Sequence, residues 1–166
     1  MINNTARIVE ELQATYIKKN HDYGNSFDQS LDEDGLIAAK VRIGDKVRRI
    51  NQLMSGEKQM VDDESVVDTL LDLANYCIMT HRWSSGCDID EIYNDLKTIS
   101  RMALDDINFR LQKEGVEFIP SSLAKSYKEL GMYIAEGNDG FIHSTLSWLI
   151  LSSIGFVNYL TSNSND

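Results

Sequence analysis

Proline is almost absent from this chain, with Pro120 the only one in 166 residues. With ten glycines beside it, the composition excludes a Pro- or Gly-rich disordered chain and leaves almost every backbone N–H able to donate along a helix. Two cysteines, Cys77 and Cys87, cannot build the multi-bridge framework of a small secreted domain, which points to a reducing, cytoplasmic setting. Positive charge is scarce as well. Sixteen Lys and Arg stand against 26 Asp and Glu, for a net charge of −10, and this argues against nucleic acid or an anionic membrane as the main partner. The opening MINNTARIVEELQ lacks the basic and apolar regions of a signal peptide. No glycine-rich phosphate loop is present, and His21, His81 and His143 lack metal-ligand spacing.

What is abundant is helical periodicity, which predicts one all-α domain over residues 1–166, a bundle of about five to six helices. Thr5–Lys19 carries Ile8, Leu12 and Tyr16 on one stripe, and Leu36–Met54 carries Leu36, Ala39, Ile43, Val47, Ile50 and Met54. Between them Asn20–Gly35, rich in Asp, Asn, Ser and Gly, reads as a long loop with Tyr23 and Phe27 embedded. Asp62–Trp83 forms the next helix, with Asp62 or Asp63 as its cap. Asp88–Glu114 follows as one long helix stopped by Gly115, then a Val116–Pro120 connector, a helix capped by Ser122 and running to Glu136, and a final helix over Phe141–Leu160.

That last segment is apolar nearly all round and about as long as a bilayer span. Its Ser144, Thr145, Ser147, Ser152, Ser153 and Asn158, with no flanking Lys or Arg, favour a buried or interface helix over a membrane span. Its surround, including Trp148 and Phe156, exceeds what one flank of a small bundle normally covers. The sequence therefore predicts a homodimer or homotetramer through this helix or the Ile89–Leu111 seam.

The stretch with the sharpest chemistry is Asp62–Trp83. Wound as a helix, it places Val66, Val67, Leu70, Leu71, Leu73, Ala74, Cys77 and Ile78 on one apolar half. Glu64, Asp68 and Asp72 follow one another at i, i+4 and i+8, each about 40° round from the last, with Asn75 and Met79 on the same arc. Stacked carboxylates repel unless a cation sits among them, and hard divalent cations take such oxygen ligands. A solvated acidic face is the alternative, for the helix dipole accounts well for Glu64. Both readings stand at this point.

Three ordered motifs then combine. Lys18-Lys19-Asn20-His21-Asp22-Tyr23-Gly24-Asn25-Ser26-Phe27 is followed by Val41-Arg42-Ile43-Gly44-Asp45-Lys46-Val47-Arg48-Arg49-Ile50, and then by the acidic helix through Asn75 and Tyr76. Over about Lys18 to Arg82 this set resembles the phage-associated nucleotide-modification domain grouped with the MazG-like all-α NTP pyrophosphatases. The resemblance implies a usually oligomeric helical bundle that splits a nucleoside triphosphate into monophosphate and pyrophosphate with Mg²⁺ or Mn²⁺. On the matching positions it implies Glu64, Asp68 and Asp72 as catalytic carboxylates and metal ligands, with Asp45 as a further ligand from the preceding helix. Residues 18–83 would carry the motifs, and 84–166 would complete the bundle or form an interface.

The chemistry adds substrate contacts. Lys46 and Arg49 suit outer phosphates, Tyr23 and Phe27 suit stacking on the base, and Lys19 joins the substrate-binding set. Asp22, Ser26 and Asn75 complete the expected substrate-binding set, and Asn20–Gly35 is expected to close over the nucleotide. The alternative is a non-catalytic nucleotide binder or acidic phage interaction protein on the same scaffold.

Overall fold

The chain folds around its most apolar helix. A computed structural model describes residues 4–56, 65–98 and 101–163, in eight helices and, among the described residues, no strand. They are α1 (Thr5–Tyr23), α2 (Ser26–Asp34), α3 (Leu36–Met54), α4 (Val66–Ser85), α5 (Ile89–Thr98), α6 (Arg101–Glu114), α7 (Phe118–Glu136) and α8 (Asp139–Asn163). The all-helical expectation is met; the helix number exceeds the expected five to six.

α8 packs chiefly on α4 and also on α7, α6 and α1. Four neighbours explain its composition, since a helix covered on most sides has no face left to be polar. Ile142, Leu146, Leu149, Ile150, Ile154, Phe156 and Val157 are all buried. By length and composition α8 could cross a membrane, but most of its apolar window is buried within the protein. Its buried hydroxyls are satisfied locally: Thr145 donates to the Phe141 carbonyl at 2.7 Å and Ser153 to the Leu149 carbonyl at 2.8 Å. The apolar surround that the sequence assigned to an oligomer interface is thus used inside one chain.

Three boundaries also differ from expectation. Asn20–Gly35 is not a loop. α1 runs on to Tyr23, a turn follows at Gly24 and Asn25, both left-handed (φ 59° and 58°), and α2 takes up the rest. Polar composition masked the i, i+4 pair of Phe27 and Leu31, which packs α2 on the core. The expected Asp88–Glu114 helix is two helices, with residues 99–100 outside the described residues. Thr98 bonds back to the Asp95 carbonyl at 2.9 Å near the end of α5. α5 lies on α1 and α4, while α6 lies on α7 and α8. α7 begins at Phe118, ahead of the expected cap, and absorbs Pro120 into its first turn, where no N–H has an intrahelical partner.

Candidate functional site

Helices α1 and α4 each aim one stripe at a common space. On α1 it is Tyr16, Lys19, Asn20 and Tyr23; on α4 it is Asp72, Asn75, Tyr76 and Met79. Both stripes have the spacing i, i+3, i+4, i+7, which keeps four side chains on one helical face. Ser26 and Phe27 of α2 and Arg42 of α3 complete the walls of a pocket of about 300 Å³. α2 is held there by an Asp28–Arg82 ion pair and by Trp83 Nε1 donating to Asp32 at 2.8 Å.

The pocket is aromatic on one side. Phe27 meets Tyr76 edge to face with ring centroids 4.9 Å apart, and Tyr23 stands at the mouth, 69% exposed. Its polar anchor is Asn75, whose Nδ2 donates to the Leu12 carbonyl at 3.1 Å and whose Oδ1 accepts from Tyr93 at 2.8 Å. Burial pushes the Tyr93 hydroxyl well above its ordinary pKa, so it stays a neutral donor. Asn75 therefore joins α4 to α1 and α5 and is committed to the scaffold as much as to the pocket.

At the cationic end sits Asp72. Lys19 Nζ reaches its Oδ1 at 2.5 Å and Lys46 Nζ its Oδ2 at 2.9 Å. Burial would raise this carboxyl, but the two ammonium groups more than offset it and hold the pKa below the usual carboxylate value. Arg42, by contrast, has no ion-pair partner among the described residues. Lys19 and Arg42 thus line the pocket, and Lys46 reaches its Asp72, in a protein whose net charge is −10.

Lys19, Tyr23, Ser26, Phe27, Asp72 and Asn75 of the expected set line this pocket, and Lys46 reaches it through Asp72. Other expected residues lie elsewhere. Asp22 pairs with the neighbouring His21 at 3.2 Å on the surface. Asp45 pairs with Arg48 at 2.7 Å across one turn, both exposed, and Arg49 does not line the pocket. Asp68 serves its own helix: the cap of α4 is Ser65, not Asp62 or Asp63, and the two residues form a capping box. Asp68 Oδ2 accepts from Ser65 N at 3.2 Å, while Asp68 N donates to Ser65 Oγ at 3.0 Å. Glu64 lies outside the described residues, as do Asp62 and Asp63. Tyr16, Asn20, Arg42, Tyr76 and Met79 were missed as pocket residues. The repeated i, i+3, i+4, i+7 pattern was the signal for four of them.

A divalent ion needs several hard oxygen donors in one place. Among the described residues no three carboxylate, imidazole or thiolate groups come together to hold one. Asp68 is turned to its cap and Asp72 to two lysines, and Glu64 lies outside the described residues.

Residues 19–81 match the family model described as nucleotide modification associated domain 1. The matched segment spans all of the pocket lining except Tyr16 and carries Lys46 as well. No curated protein and no solved structure matches the chain.

Proposed function

We propose that the chain binds a nucleoside triphosphate in this pocket and converts it to the monophosphate and pyrophosphate, as a MazG-like all-α pyrophosphohydrolase. One observation carries the reading: aromatic faces and the cationic Lys19 and Arg42 share one pocket of an otherwise acidic protein, with Lys46 behind its Asp72, inside the segment that matches a nucleotide-modification family. Tyr23, Phe27 and Tyr76 offer surfaces for a base, which stacks on aromatic rings whatever its identity. Asn20 is placed for a hydrogen bond to a base edge or sugar. Arg42, Lys19 and Lys46 would hold the phosphates, and their charge would favour the leaving pyrophosphate as it becomes more negative. Mg²⁺ or Mn²⁺ is the cofactor of this proposal, and such an ion would neutralise phosphate charge and lower the pKa of a bound water.

A specific observation favours a second reading, nucleotide binding without hydrolysis. Both described carboxylates of the stripe are engaged by the protein's own groups. One experiment separates the two. All natural ribo- and deoxyribonucleoside triphosphates are incubated with the protein and Mg²⁺ or Mn²⁺, with products resolved and binding followed in parallel. Monophosphate plus pyrophosphate is the expected result. Saturable binding with no product would establish the second reading, and neither binding nor product would refute both.

A further inference from the structure

Asp72 occupies the middle of the cation cluster that a polyphosphate would need. Each of its two oxygens is taken by a different ammonium group, Lys19 at 2.5 Å and Lys46 at 2.9 Å. A carboxylate and a phosphate present the same kind of acceptor to an ammonium group, negative oxygens at N···O distances near 2.8 Å. The two lysines differ in freedom. Lys46 has 22% of its side chain exposed, Lys19 has 51%, and Asp72 itself only 18%. Lys19 also lies on the last turns of α1, close to the Gly24 turn, on a stem long enough to swing across the pocket mouth.

We infer that Asp72 is a built-in stand-in for a phosphate group: it holds the two-lysine subsite, and a polyphosphate binds by exchange, with Lys19 leaving Asp72 for a phosphate oxygen. This rests on the nucleotide reading of the pocket and concerns how that same site is regulated. The exchange makes the site selective by charge. A triphosphate offers several negative oxygens to Lys19, Lys46 and Arg42 together and outcompetes one carboxylate. A monophosphate offers fewer, so Asp72 retakes Lys19 and the weaker ligand is released. The acidic stripe, read from sequence as a metal platform, then has a second role as an internal competitor.

The test is calorimetric titration in EDTA with inorganic tripolyphosphate, and separately with α,β-methylene analogues of the nucleoside triphosphates. Asp72→Asn should bind tripolyphosphate about tenfold more tightly than the unaltered protein, the order expected for removing one half-buried competing charge. Adding Lys19→Ala to Asp72→Asn should abolish that gain. Equal or weaker binding by Asp72→Asn, with a circular dichroism melt showing it folded, overturns the exchange. A crystal structure of the unaltered protein with tripolyphosphate tests it without any variant. Lys19 Nζ on a phosphate oxygen supports the inference, and Lys19 still on Asp72 refutes it. The two proposals fail separately. Analogue binding with no gain from Asp72→Asn sinks the exchange and leaves the nucleotide reading standing. A gain for tripolyphosphate with no binding of any analogue, in EDTA or with Mg²⁺, does the reverse.

Discussion

Tyr23 marks the point where the pocket opens to solvent. At 69% exposed it contributes little to folding, so Tyr23→Ala should leave thermal stability within about 0.5 kcal/mol. Its loss should raise KM for the nucleotide by the equivalent of about 1–3 kcal/mol of base stacking, read from initial rates or from direct binding. Asp72 gives a residue-scale prediction in pH. Its folded pKa is lowered below the ordinary value, so its contribution is fully present above the unfolded-state carboxylate pKa. That contribution is lost as pH falls through the folded one. Melting temperature should therefore drop on the acid side of the carboxylate range, and Asp72→Asn should flatten that limb. An acid limb of unchanged slope would show that the lysine pairs add nothing to stability.

Among the elements, α2 and the start of α4 depart most instructively from their sequence signals. Asp, Asn, Ser and Gly in SFDQSLDED and its flanks read as turn residues, and two left-handed residues do form a turn before α2. The helix itself depends on partners far along the chain: Leu31 in the core, Arg82 for Asp28, Trp83 for Asp32. These anchors hold α2 against the core. Its amides should exchange slowly in the ligand-free protein, and a fast-exchanging α2 would restore the idea of a closing loop. At α4 the capping box makes Asp68 a stabilising residue, where repulsion within the stripe had suggested the opposite. Ser65→Ala should cost about 0.5–2 kcal/mol in a denaturant melt. Asp68→Ala should also destabilise rather than stabilise.

The whole molecule is organised by close contact between α8 and its neighbours. At Gly155 an added Cβ would lie 2.9 Å from Cγ2 of the fully buried Ile107, so α6 and α8 approach too closely for any side chain there. Gly155→Ala should cost about 1–3 kcal/mol by overpacking, measured as a fall in melting temperature, and Ile107→Ala in the same chain should recover part of it by making room. The homodimer or homotetramer stays a proposal, and its surface moves away from α8. The Ile89–Leu111 seam is the other surface the sequence named, and Phe109 within it is 64% exposed. Light scattering of Phe109→Glu should then report a smaller particle than the unaltered protein. The same mass for both would exclude that face.

Periodicity alone determined the all-helical class, because a 3.6-residue repeat of apolar side chains has no other compact use. It placed α3 at Leu36–Met54 without error and predicted that the last helix is buried. The motif order also places Lys19, Tyr23, Ser26, Phe27, Asp72 and Asn75 in one site, and these six line the same pocket. Only the tertiary structure decided which groups meet. Lys46 and Lys19 are far apart in sequence and close on Asp72 because α1, α3 and α4 converge there. A one-dimensional pattern gives the face of each helix, but the partner of a charge depends on which faces are packed together. That is why the stacked carboxylates leave a metal stripe and a solvated face both open in the sequence, while the folded chain turns Asp68 to its cap and Asp72 to two lysines.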